Sequence, residues 1–350
     1  MRHLVLVVYA LLQTAGAATH AADTSPLPAA NYTVSRSWQL GGPGGWDTLG
    51  LEASGARLFI SRGDRVDVVE TVSGKPVGSI AHTLGVHGIA FAPSLTRGFT
   101  SNGRSDSVSV FELDTLRILE EVRVSGKNPD AILYEPRHNL LITANSESAN
   151  LTVFDAGTLQ IVATVALSGP PEFMTADPTG MVYVNIETEP GRLVVIDTKS
   201  LAIKSTWPLP GCANPTGLAL DAAHHRLFSV CANQVMAVTD SQSGKQVARV
   251  VIGRGPDDAA FDADLGLVFS SNGLDGTLTV IHEETPDEYR VTATVTTQVS
   301  ARTMVLDPAT HKIFLAAANL GAAPAPTEDQ PHPRPTIVPD SFAILVAQPK

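Results

Sequence analysis

The chain has 350 residues, of which 43% are hydrophobic and 17% charged, with 28 Gly and 24 Pro. That is enough apolar material for a packed core and excludes a disordered polypeptide. A formal net charge of −11 argues against general affinity for nucleic acid or an anionic membrane, because both need clustered Lys and Arg.

In chain order, residues 1–22 read as an export signal. Arg2 and His3 precede an apolar run from Leu4 to Leu12, and small residues follow around Ala15-Gly16-Ala17 and Thr19-His20-Ala21. The run is too short to cross a bilayer, and no later stretch reaches about 18 apolar residues. The mature chain is therefore expected to be periplasmic, without a membrane span, and monomeric. Residues 32–40 (YTVSRSWQL) form a strand outside any repeat.

From there the chain repeats itself. Apolar runs at 49–51, 89–91, 132–134, 174–176, 218–220, 259–261 and 304–306 recur at a period of about 40 to 45 residues, the length of a propeller blade. Turns such as Ala92-Pro93, Glu135-Pro136, Asp177-Pro178 and Asp307-Pro308 follow them. Second strands come next at 58–61, 98–101, 140–144, 182–184, 227–230, 267–271 and 313–316. Third strands, such as 151–154 and 193–196, and Thr-rich or Ser-Gly turns into a fourth complete most units. The pattern predicts an all-β fold: a seven-bladed β-propeller of four-stranded antiparallel blades over residues 31–350. The seventh unit lacks a fourth strand, which the strand at 32–40 would supply, removing two exposed edges.

Segments such as Tyr183-Val184-Asn185 and Phe99-Thr100-Ser101-Asn102, which end second strands, make the chain resemble the YVTN-type (YncE-like) family of exported bacterial β-propellers. The resemblance covers nearly all of residues 31–350. It implies little about activity: one member of the family is described as binding single-stranded DNA, and similar propellers include lyases, lactonases and dehydrogenase subunits.

Candidate site residues come from aligning the repeats. At the head of each first strand stand Asp47, His87, Asp130, Glu172, Thr216, Asp257 and Arg302. All are polar and no single residue type repeats throughout, as an asymmetric ligand at one channel mouth would require. The ends of the second strands hold Arg62, Asn102, Asn145, Asn185, Cys231, Asn272 and Ala317. Of these, Arg62 and the four Asn side chains are expected as further ligand contacts, although Asn also favours turns through its own side chain. The next position along the first strand is mostly small or apolar, so polarity is expected only at the mouth. His87, Asp130, Glu172 and Asp257 would hold a divalent ion, and this set suits Ca²⁺ or Mn²⁺ better than Zn²⁺.

The expected function is binding of a small molecule or a divalent metal. One alternative is a metal-assisted lyase or lactone hydrolase, with Glu172 or His87 as base and Arg302 as anion stabiliser. Another is a platform for a protein partner or single-stranded DNA, with the acidity disfavouring nucleic acid. Cys212 and Cys231 are 19 residues apart in segments that a hairpin brings together, and a disulfide is expected. A Pro-rich insert at 319–340 is expected to leave from the mouth face and to bring His332 and Arg334 over the channel. His224-His225 reads as a surface turn, and His282-Glu283-Glu284 as outward and solvated.

Overall fold

A computed structural model describes residues 31–327, 333 and 335–350. The expected export signal, His332 and Arg334 lie outside the described residues. The chain is all-β, about 60% strand with almost no helix, as its runs of Val, Ile, Thr and Phe broken by Gly, Pro, Asn and Asp turns require.

The strands form five four-stranded antiparallel sheets and one seven-stranded sheet. The larger sheet contains two repeat units fused through one strand, Pro76–Ala92. Its first part pairs with Gly63–Glu70 and its last part with Arg97–Asn102. Between these parts His82 and Gly85 have positive φ, so the backbone bends without leaving the ladder. The innermost strands touch in sequence around a common centre.

Burial explains the hydrophobic pattern. Second and third strands such as Leu140–Asn145 are buried on both faces, because each sheet is covered by its two neighbours. One cluster packs Ile142 and Val153 against Val184 and Val194 of the next sheet, and another packs Phe99 and Val110 against Leu141 and Phe154. Fourth strands such as Ile161–Ala166 lie on the rim and are largely exposed. Strand Tyr32–Gln39 pairs antiparallel with Ala343–Pro349 beside Lys312–Ala317 and Thr303–Asp307. Tyr32 fastens this sheet with an edge-on contact to Phe269 at 5.0 Å and a hydroxyl bond to the His311 carbonyl at 2.8 Å.

Cys212 and Cys231 are joined in a disulfide, with Cα atoms 5.4 Å apart. Cys231 lies opposite Pro215 at the head of the strand Pro215–Asp221, so the cross-link ties the loop before this strand to the strand beside it. Closing a loop of 19 residues restricts the unfolded chain by about 3 kcal/mol in the entropic picture. Replacing both cysteines by Ala is expected to cost about 2–4 kcal/mol in denaturant unfolding, and a loss below 1 kcal/mol would contradict this role.

Candidate functional site

The head of the first strand has a local device that aims its side chain. Pro129, Pro171, Pro215 and Pro256 open their strands opposite Asn145, Ile186, Cys231 and Asn272, and pairing then skips before resuming. Val86 does the same opposite Asn102. The skipped residues include His87, Asp130, Glu172, Thr216 and Asp257. A bulge releases a residue from the ladder and turns its side chain out of the alternating pattern, and Pro is tolerated there because it opens the strand. Asp47 and Arg302 stand just before their strands Leu49–Leu51 and Thr303–Asp307.

Polar side chains of neighbouring units then hold the backbone of this ring. Thr48 donates to the His87 carbonyl at 2.5 Å and Thr303 to the Asp47 carbonyl at 2.7 Å. Ser101 donates to the Asp130 carbonyl and Ser271 to that of Arg302. Asn185 donates its amide to the Thr216 carbonyl at 2.9 Å. Five of the ring carbonyls are thus fixed by the preceding unit.

The side chains converge as well. His87 Nδ1 lies 2.5 Å from Asp47 Oδ2 and 3.7 Å from Asp130 Oδ1. Arg302 bonds Asp47 at 3.2 Å with one terminal nitrogen and Asp257 with the other. Two glycines make room for this. A Cβ on Gly103 would meet His87 Nε2 at 2.8 Å, and one on Gly273 would meet Arg302 Cβ at 2.7 Å. Thr216 turns aside, its hydroxyl 3.4 Å from the Pro256 carbonyl. The Glu172 side chain makes no hydrogen bond among the described residues and feels the charges of Asp130, Glu187, Asp257 and Asp47.

These surroundings set the protonation states. Burial pushes the Asp47 carboxyl up, but the His87 hydrogen bond and the Arg302 charge outweigh it and hold Asp47 below the usual range. Burial lowers His87, yet its bond to Asp47 and the charge of Asp130 leave it above its ordinary value. Burial and the charges of Asp47 and Asp257 exceed the help from His87 and push Asp130 up to about 6. Burial and repulsion from Asp130, Glu187, Asp257 and Asp47 push Glu172 up to about 9.

The second expected ring does not face a ligand. Asn102, Asn145, Asn185, Asn272 and Arg62 are all 0% exposed. Asn145 donates to Asn150 and Thr152 and accepts from Thr143; Asn272 does the same with Thr277, Thr279 and Ser270. Asn102 uses Ser107, Ser109 and Thr100. These amides staple the second strand to the third, and the hydroxyls that recur two before and seven after each Asn, with a Ser, Asn or Thr five after, were visible in the sequence. Asn185 differs because Ile186, not Asn185, stands opposite Pro171; a shift of one position sends the side chain to the other face. Arg62 lies 3.7 Å over the Phe342 ring. It donates to the carbonyls of Gly41, Gly42, Pro43 and Gly45, clamping the loop that delivers Trp46 and Asp47.

Three further placements differ from expectation. Asp258, one position beyond the ring, is buried, and its carboxylate accepts the backbone N–H groups of Ala259 and Met304 at 2.8 and 3.1 Å. It lines a channel cavity of about 370 Å³ with Phe173, Leu218, Phe261 and Met304, and burial pushes its pKa up to about 7. Polarity therefore continues below the mouth. Glu283 is buried rather than solvated, accepts from Tyr289 at 3.1 Å, and lies with Asp221 and His224 at the opposite end of the strands. Asp221 there also accepts the backbone N–H groups of Ala223 and His224, so this group doubles as turn structure. The insert contributes Leu320, Pro335 and Ile337 to one side of a mouth cavity rather than a described cover over the ring.

No known family profile matches the chain, and no curated protein matches it. Solved structures do. The structure of U3-55K superposes with a TM-score of 0.74 at 10% identity, covering 90% of this chain and 99% of that one. Hydrazine synthase of Kuenenia stuttgartiensis superposes with a TM-score of 0.50 at 18% identity, covering 70% and 96% respectively. At such identities the likeness shows the fold alone, and the fold is of the β-propeller type.

Two outcomes follow. Asn145→Ala strands the buried Thr143 hydroxyl and is expected to cost about 1–3 kcal/mol of stability in denaturant unfolding; an unchanged stability would contradict the staple role. Glu172 holds its proton in the folded chain up to about 9, whereas in the unfolded chain it releases it at about 4.3. Its contribution to stability is therefore lost as pH rises between these values. In chelator, Glu172→Gln is expected to melt several degrees above the parent at pH 8 and to match it near pH 4; a constant difference would contradict this environment.

Proposed function

We propose that the chain is a single seven-bladed β-propeller of residues 31–350, closed by its N-terminal strand, and that its acidic channel mouth binds a divalent cation. The sequence resemblance to exported YVTN-type propellers, the signal-like residues 1–22 and the disulfide support a periplasmic setting. The observation that carries the binding reading is the grouping of Asp47, His87 and Asp130. Each of these residues comes from a different unit, and one ligand atom from each lies within 4.8 Å of the others.

Chemistry supports the same reading. Two carboxylates and one imidazole are a donor set for a hard or borderline ion such as Mn²⁺ or Ca²⁺. Asp130 and Glu172 are held in a field that disfavours their charge, and a cation would relieve it. Glu172 stands beside the three donors as a candidate additional ligand. Asp257 is engaged by Arg302 and serves to hold that guanidinium at the rim. Binding is favoured over general-base catalysis because burial and neighbouring carboxylates favour the protonated form of Glu172, His87 is already bonded to Asp47, and Arg302 already faces two carboxylates.

Loading the site displaces the proton shared by His87 and Asp47, so affinity is expected to fall on acidification. Calorimetric titration with Mn²⁺ and with Ca²⁺ at pH 7.5 should show one site per chain, with Mn²⁺ the tighter. His87→Ala should weaken Mn²⁺ by at least about tenfold, a loss of roughly 1.4 kcal/mol, and Asp130→Asn should do likewise. Absence of binding heat together with an unchanged melting temperature for both ions would reject the proposal.

A further inference from the structure

A second feature of the mouth lies beside the cation group and is of different character. A cavity of about 530 Å³ opens between the sixth and seventh units and the insert. Trp46, Leu274 and Val299 line it with Leu320, Pro335 and Ile337 from the insert; Asp257 and Arg302 are its charged lining. The volume falls in the range of small-molecule sites, which are mostly apolar with a few placed polar groups.

The apolar lining is exposed. Leu274 is 67% exposed, Val299 52% and Leu320 40%, and three large apolar side chains around one cavity form a patch that water solvates poorly. The polar groups have spare donors. Trp46 Nε1 is buried and has no acceptor among the described residues. Arg302 uses its terminal nitrogens on Asp257, Asp47 and the Trp46 carbonyl, and its Nε–H has no acceptor among the described residues. Charges of both signs line the cavity: an anion here would meet Asp257, and a cation would meet Arg302.

We propose that this cavity binds an uncharged, largely apolar small molecule that presents a hydrogen-bond acceptor, such as a carbonyl or ester oxygen, to Trp46 and Arg302. The apolar body replaces water over Leu274, Val299, Leu320 and Ile337, and the acceptor satisfies a buried donor whose unmet hydrogen bond is costly. This goes beyond the cation reading and does not require it, because none of the cavity's lining residues belongs to the group Asp47, His87 and Asp130.

The test uses Nile red, an uncharged apolar dye with a carbonyl oxygen, titrated by fluorescence into the described chain in chelator, so that failure of the cation reading cannot affect the result. The expected outcome is one saturable site with a blue-shifted emission. Leu274→Glu, at an exposed turn where folding is undemanding, should weaken the dye by at least about tenfold. Trp46→Phe should weaken it several-fold, and Val251→Glu, at an apolar side chain 76% exposed elsewhere, should leave it unchanged. The anion anilinonaphthalene sulfonate should bind this site more weakly than Nile red. Non-saturable dye binding, wild-type affinity in Leu274→Glu, an equal loss in Val251→Glu, or tighter binding of the anion would each overturn the proposal.

Discussion

Arg302 lies at the junction of three repeat units and carries positive charge into a mouth where acidic groups predominate. It is bonded to Asp257 of the preceding unit and to Asp47, more than 250 residues earlier in the chain. Burial disfavours its charge, but these two carboxylates raise its affinity for the proton. Through Asp47 the same interaction reaches His87, and through His87 it reaches Asp130. The protonation pattern of the whole mouth follows from this chain of pairs. Where Arg302 neutralises, Asp47 stays ionised; burial first, and then nearby carboxylates, push Asp130 and Glu172 up.

The backbone makes that arrangement possible. Bulged strand heads release ring residues from the ladder, and at five of the seven ring positions a polar side chain from the preceding unit grips the carbonyl. Ser101, Asn185 and Ser271 perform this task on three seams, and Thr48 and Thr303 on two more. Site geometry is thus coupled to contacts between units rather than to any one sheet. The group Asp47, His87 and Asp130 and the apolar cavity adjoin each other through Asp47 and Trp46, the neighbouring residues that the Arg62 clamp delivers.

Much of the site was readable beforehand because a repeat supplies its own alignment. Pro129, Pro171, Pro215 and Pro256 mark the ring position by immediately preceding it, and His87 and Arg302 stand out because turn chemistry does not select them. The Asn positions misled for a physical reason. An amide at a strand end looks alike whether it faces a ligand or staples two strands, and only the hydroxyls around Asn102, Asn145 and Asn272 tell the two apart. Asn185 shows the sharper difficulty: aligned by its Val-Asn pattern, it is displaced by one register position, and its task changes completely. Glu283 was read as solvated and polarity was expected to stop above Asp258, because burial of a carboxylate depends on neighbours distant in the chain.

The amino-acid sequence by itself determined the all-β character, the repeat and its length, the Cys212–Cys231 pairing and the residues at the strand heads. These are consequences of local periodicity and spacing, which a linear chain displays openly. Tertiary structure alone decided which head residues touch. It placed His87 between Asp47 and Asp130, joined Arg302 to Asp47, buried the Asn staples, and brought Trp46, Ile337 and Leu274 to one cavity. Such contacts join residues many units apart, and their distances and charges are fixed only when the sheets have packed against one another.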